Sequence, residues 1–185
     1  MVPAFGTVDP VDKILPTVTR GLRLRYDRGM QSVFEEAGGD QGMLRLAHAW
    51  HELVLADEVV SHAFSHGYQP DHTERLAAYW TEALGGPPKY SEAFGNESSV
   101  LEIHSGNGPH DEMDRRAIAC FDQALTDVGI GSDSAVRQVL KDYFLWATTA
   151  SIFRYESSPD EVPSGLKIPH WFWNGLVDSQ ESDSN

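Results

Sequence analysis

The chain has 185 residues, of which 41% are hydrophobic and 10% aromatic, which is enough for one domain with a substantial core. Its formal net charge of −14 argues against nucleic acid or an anionic membrane surface as a partner, and no apolar run approaches the roughly 20 residues of a membrane span. The single cysteine, Cys120, excludes an internal disulfide and favours a reducing compartment, so a cytoplasmic location is expected.

The two ends of the chain differ in composition from its middle. Three prolines interrupt residues 1–29, and four arginines gather near the end of that segment. The run Ser157–Glu161 is typical of a linker. We therefore expect an irregular N-terminal extension over residues 1–29, one domain over residues 30–155 and a C-terminal tail over residues 156–185.

Residues 30–64 predict two helices and a few helical turns. A short helix over Met30–Ala37 is stopped by a pair of glycines. Asp40 is expected to cap a longer helix, whose apolar residues recur every three or four positions. These apolar residues are Met43, Leu44, Ala47, Trp50, Val54 and Leu55. His51 falls on the same face, and short turns are expected over Asp57–Phe64.

The following two helices each place a histidine on an apolar stripe. Asp71 is expected to cap the first, which ends where two glycines and two prolines follow at 85–88. Its inward residues are His72, Leu76, Tyr79, Trp80 and Ala83. The Ser99–Glu102 spacing is typical of a capping box and predicts a further helix that ends at His104.

Two more amphipathic helices are predicted over Met113–Leu125 and Val136–Ile152. No segment alternates with the period of a strand, so the fold class is expected to be all-α. The aromatic run Ile168–Trp173 has two interpretations. It either folds back over the helical core or marks the contact surface of an interaction module.

Three of the eight histidines, His51, His72 and His104, are predicted on inward faces of different helices. Imidazole is a common ligand of both haem iron and zinc. The spacing of His62 and His66 suits zinc, but no cysteine or clear third ligand accompanies it. A haem needs one axial histidine and an apolar slot. The predicted faces offer such a slot through Phe64, Leu76, Tyr79, Trp80, Leu101 and Ala117.

Four stretches of the chain resemble the truncated haemoglobins, and group II most closely. They are VFEEAGG, HELVLADEVV, ERLAAYW with ALGGPPKYSEAFG, and LEIH, and together they span roughly Met30–Ser151. The resemblance implies a two-over-two helical sandwich around haem b. It implies that His104 binds the iron and that Phe64 stacks on the haem.

The resemblance also implies a distal side and a haem periphery. His51 stands where group II members usually have tyrosine, and His72 stands where a distal residue often contacts the bound ligand. The surrounding positions are Leu76 in the pocket wall, Arg75 toward a propionate and Tyr90 at the haem edge. Ala117 replaces the tryptophan usual in group II, so the distal hydrogen-bond network departs from the family pattern.

The resemblance implies that the protein binds O₂, NO, CO or peroxide at the iron. His51 and His72 could stabilise such a ligand, or one of them could coordinate the iron directly. The alternatives are a peroxidase or nitric-oxide dioxygenase, with a substrate beside Ala117, and a haem-sensing interaction module. A homodimer and an unidentified reductase are further expected partners.

Overall fold

The computed structural model describes residues 31–65, 67–106, 110–152, 154–155 and 158–177. The predicted extension over residues 1–29 and the last eight residues, 178–185, lie outside this part of the chain. The described α-helices are α1 Val33–Glu36, α2 Gly39–Ala56, α3 His72–Ala83, α4 Lys89–Ala93, α5 Glu97–His104, α6 Asp111–Asp127 and α7 Ala135–Trp146. None of these helices has both the length and the apolar character needed to cross a bilayer.

The α2/α3 pair packs over the α6/α7 pair, as a two-over-two arrangement requires. Trp80 of α3 lies at the centre of the core, where its ring meets Phe121 of α6 at 5.4 Å and Phe144 of α7 at 6.1 Å between centroids. Phe121 and Phe144 stack in parallel at 4.1 Å. The apolar faces predicted from helical spacing therefore meet in one core.

Of three predicted helix starts, two are wrong and the third, at Asp71, is confirmed in position. Gly38, with φ +95°, occupies the N-cap of α2, while Asp40 pairs with Lys89 at 2.8 Å. Asp71 is the N-cap residue of α3, but its carboxylate accepts from Arg75 Nε at 2.8 Å and makes no hydrogen bond to the N–H groups of the first turn. The capping box of α5 joins Asn96 to Ser99, so the helix begins before the predicted Ser99–Glu102 box.

The glycine pair at 85–86 ends α3 for two reasons: the backbone conformation of Gly85 and the lack of room for a side chain at Gly86. Gly85 has φ +91°, a left-handed conformation that glycine adopts readily after a helix. A Cβ on Gly86 would lie 2.8 Å from Thr81 and 2.9 Å from Phe34. The chain can therefore turn closely against α1 only if this position carries no side chain.

The C-terminal part continues beyond α7 and returns to the helical body. A single π-helical turn covers Ala147–Ser151, and a 3-10 turn covers Pro159–Glu161. The strands β1 Trp171–Phe172 and β2 Gly175–Leu176 pair antiparallel, which the sequence did not predict. We call residues 158–177 the C-terminal strap. Its aromatic residues fold back onto the core, as one of the two interpretations expected.

Candidate functional site

The last residue of α5, His104, has its ring fixed by its own helix. The Nδ1 atom lies 2.7 Å from the carbonyl oxygen of Val100. A carbonyl oxygen can only accept, so Nδ1 carries the hydrogen and Nε2 carries the lone pair. Burial lowers the pKa of His104, which favours the neutral ring. A neutral imidazole oriented in this way has the chemistry of a metal ligand.

Four rings from α2, α3 and the intervening segment form a second group, which we call the four-ring cluster. Its members are His51, Phe64, Tyr68 and His72. The His51 ring centroid lies 4.8 Å from that of His72 and 4.9 Å from that of Tyr68. Phe64 lies 5.3 Å from His51 and 5.4 Å from His72, edge to face in both cases. The structure thus brings together both predicted distal histidines and the predicted stacking phenylalanine.

The cluster contains two buried imidazole nitrogens without a hydrogen-bond partner among the described residues, His51 Nε2 and His72 Nδ1. The other nitrogen of His51, Nδ1, lies 3.0 Å from Thr73 Oγ1. Buried polar atoms in proteins are almost always paired. The two nitrogens can therefore bond a group that the described residues do not supply.

Both imidazoles of the cluster are neutral at pH 7. Burial is the main reason that the pKa of His72 falls to about 4; repulsion from His51 and His104 contributes to this fall, and Asp71 opposes it. Burial and repulsion from His48 lower the pKa of His51. Each ring therefore offers one N–H donor and one lone pair, without a positive charge.

Most of the other predicted cofactor residues lie either close to His104 on α5 or in the main helical core. Leu101 is buried one turn before His104, and Leu76 packs half-buried against the main core. The Tyr79 ring packs on Tyr90 at 5.3 Å, and its hydroxyl donates to Glu97 at 2.7 Å. Trp80 belongs to the core described above.

The predicted propionate partner, Arg75, is engaged at the protein surface. Its Nε donates to Asp71, and its guanidinium carbon lies 4.7 Å from the centroid of the Phe94 ring. These contacts hold the side chain beside the last turn of α4. An arginine has five N–H donors, so donors remain for an anionic group.

Ala117 of α6 has Trp50 packed beside it. The indole nitrogen of Trp50 donates to the carbonyl oxygen of Ala117 at 3.1 Å. Ala117, Val54 and Val60 form a small apolar cluster against which Trp50 and Phe64 pack. A tryptophan from α2 thus fills part of the room that the enzyme alternative assigned to an organic substrate.

Sequence reasoning missed Tyr68, Thr73 and the placement of Trp50. Tyr68 lies between α2 and α3, where no helical period predicts the direction of a side chain. Thr73 is a polar residue in the first turn of α3, and its only signal was its position next to His72. The zinc alternative is not advanced, since His66 lies outside the described residues and no three His, Cys, Asp or Glu side chains within them could hold a metal.

A comparison of the sequence with family models and curated proteins gives consistent matches. The model of the family described as bacterial-like globin matches residues 32–149. A group 1 truncated haemoglobin of Tetrahymena pyriformis is 25% identical over 111 residues, which is 60% of this chain and 87% of that protein.

Solved structures match the same part of the chain. The haemoglobin of Thermobifida fusca gives a TM-score of 0.56 at 25% identity, over 66% of this chain and 97% of its own. The group II truncated haemoglobin of Bacillus anthracis gives a TM-score of 0.58 at 19% identity, over 69% of this chain and 99% of its own. At this identity the second match concerns the fold alone.

Proposed function

This chain belongs to the bacterial-like globin family, as a truncated haemoglobin, and on that premise we propose that it binds haem b through His104 and holds O₂ or another diatomic gas at the iron. The family predicted from the four sequence stretches is thereby confirmed, and so is the all-α two-over-two fold. Family membership implies a haem-binding, globin-like protein. The haem type, the gas and the residue roles are our proposal.

The observation that carries the proposal is the orientation of His104. Its Nδ1–H bond to Val100 O leaves Nε2 as the ligating nitrogen and limits rotation of the ring. Metal-bound histidines commonly donate a hydrogen bond from their other ring nitrogen to a carbonyl oxygen in this way, and this bond makes the ligand more basic. The lowered pKa keeps the lone pair available at neutral pH.

The four-ring cluster supports a distal role for His51 and His72. A bound haem would supply an iron that can bind a gas molecule. Bound O₂ carries partial negative charge, which an imidazole N–H can stabilise. The two nitrogens without partners, His51 Nε2 and His72 Nδ1, are the groups available for this bond. Because both rings are neutral, the bond forms without a fixed positive charge.

The remaining residues of the proposed site provide its walls and edge. We assign Phe64, Leu76 and Leu101 to the apolar wall, where half-buried or buried side chains exclude water. Arg75 is assigned to a propionate, and Tyr90 to the haem edge. Tyr79, Trp80 and Ala117 support the wall from the core and from the small cluster around Trp50.

An optical titration with haemin tests the proposal. We expect a Soret band at one haem per chain, with ferrous spectra that change on addition of CO or O₂. The variant His104→Ala should lose the axial ligation pattern and regain it with added imidazole. His62→Ala, which alters an exposed histidine near the cluster, serves as the control. A wild-type protein with no Soret band after haemin addition would rule the proposal out.

A further inference from the structure

Three hydrogen bonds join the first turn of α5 to the C-terminal strap. Ser98 Oγ donates to Pro163 O at 2.6 Å and accepts from the Leu166 N–H at 3.0 Å. The Glu97 N–H, which has no partner within the helix, donates to Leu166 O at 3.2 Å. Ser98 is only 4% exposed. Its hydroxyl therefore donates one hydrogen bond to the strap and accepts one from it, away from water.

The strap also reaches the other end of α5. A Cβ on Gly106, two residues after His104, would lie 3.5 Å from the Cδ of Pro159. The strap runs from Pro159 to Leu166 while the neighbouring chain runs from Gly106 back to Glu97. The two segments are therefore antiparallel neighbours, and the strap contacts α5 beyond its last residue as well as at its first turn.

Anchors elsewhere in the molecule hold the strap itself. Ile168 is 5% exposed and belongs to the main core. The Trp171 ring lies 6.0 Å from that of Tyr143 and 5.3 Å from that of Trp146, both on α7. Trp173 Nε1 donates to Gln31 O at 2.9 Å. None of these anchors involves α5, so the strap links α5 to the rest of the body.

From these contacts we propose that the strap is a positioning element for the iron ligand, with Ser98 as its positioning residue. The inference rests on the proposed function, in which His104 binds iron. His104 lies six residue steps along the helix from Ser98, a rise of about 9 Å. The hydrogen bonds that hold the first turn therefore help to set the position of the imidazole. The strap residues follow the stretch that the globin family model matches, residues 32–149. The contacts therefore support α5 through residues that lie outside the stretch matched by the family model.

The test compares single variants of the full chain loaded with haem. Ser98→Ala removes the two strap bonds of the Ser98 hydroxyl and leaves the Glu97 N–H bond to Leu166 O in place, whereas Ser98→Thr keeps the hydroxyl. Ser134→Ala is the matched control, since Ser134 Oγ also donates to one carbonyl and accepts from one N–H, at the start of α7. We measure haem transfer to an excess of apomyoglobin and the iron–histidine stretching band of the ferrous protein. Hydrogen exchange of the α5 amides is measured in the haem-free protein.

Ser98→Ala should release haem up to about tenfold faster, the lower end of the roughly 10–100-fold lost with a direct partner of a metal ligand, because Ser98 acts on His104 only through the helix. It should also shift the iron–histidine band and speed exchange in α5, while Ser98→Thr restores all three. Equal behaviour of Ser98→Ala and Ser134→Ala, or an unshifted band in Ser98→Ala, would overturn the inference. If wild type takes up no haem, the proposed function fails. Hydrogen exchange of the α5 amides then still tests whether the strap holds α5. Faster exchange in Ser98→Ala but not in Ser134→Ala supports that hold, and unchanged exchange in Ser98→Ala refutes it.

Discussion

The two sides of the proposed site are held by different forces. On the His104 side, main-chain groups fix the geometry: Val100 O orients the ring, and the strap bonds the start of the helix. On the side of the four-ring cluster, aromatic packing places His51 and His72, and two of their nitrogens have no partner among the described residues. The first arrangement determines which nitrogen of His104 carries the lone pair. The second arrangement leaves two imidazole nitrogens whose hydrogen bonds depend on the molecule that binds beside them.

The largest expected effect comes from removing the fixed side. His104→Ala should abolish coordination of the iron by the chain and weaken haem retention by 100-fold or more, since even partners of metal ligands contribute roughly 10–100-fold. Competition with apomyoglobin measures the retention. Retention equal to that of His62→Ala would show that another residue is the ligand.

Removing an imidazole from the four-ring cluster should have a smaller effect. It should change the rate at which the gas dissociates and leave haem retention unchanged. His72→Leu is expected to speed O₂ dissociation from the ferrous protein about 10- to 100-fold, the equivalent of a bond worth roughly 1.5–3 kcal/mol to a charged group. Stopped-flow displacement with CO gives the rate. His72→Gln, which keeps an N–H donor, should lie nearer wild type. An unchanged rate in His72→Leu would assign the distal bond elsewhere, with His51→Leu as the next variant to compare.

The packing beside Ala117 predicts an effect on stability. Ala117→Trp restores the residue usual in group II, but Trp50 already packs there. Overpacking of this kind typically costs about 1–3 kcal/mol in the free energy of unfolding. The double variant Trp50→Ala, Ala117→Trp should recover part of that loss, and urea titrations of all four proteins complete the cycle. Additive losses would mean that the two positions do not share space.

The cluster also predicts a shallow dependence of stability on pH. The folded-state pKa of His72 is about 4, below the ordinary 6.5, so between these values the unfolded chain binds more protons. The contribution of neutral His72 is therefore complete above pH 6.5 and is lost as the pH falls toward 4. The raised pKa of Glu97 acts in the opposite direction. Urea midpoints of wild type and His72→Leu should therefore diverge across this window, and parallel curves would contradict the assignment.

Sequence periodicity predicted the helices that carry the site because each buries one apolar face. His51, His72 and His104 were identified in this way, and the glycine–proline segment at 85–88 located the end of α3. The helix starts were less predictable, because several residues near each start can cap it. Asn96 and Ser99 bond each other in α5, although Ser99 and Glu102 show the more familiar pattern.

The parts that sequence reasoning missed depend on contacts between distant segments. Ser98 and Leu166 are 68 positions apart, and Trp50 and Ala117 are 67 apart. No local pattern encodes such pairs. The roles assigned to individual site residues, a homodimer, a reductase and a cytoplasmic location stay predictions.

The tryptophans fall into two groups that report on separate events. Trp50 and Trp80 pack against each other, with ring centroids 6.0 Å apart. Trp50 and Phe64, a member of the four-ring cluster, both pack against the small apolar cluster that contains Ala117. Trp146, Trp171 and Trp173 lie where the strap meets the body. Intrinsic fluorescence can therefore follow filling of the pocket and detachment of the strap independently, once one group is replaced by phenylalanine.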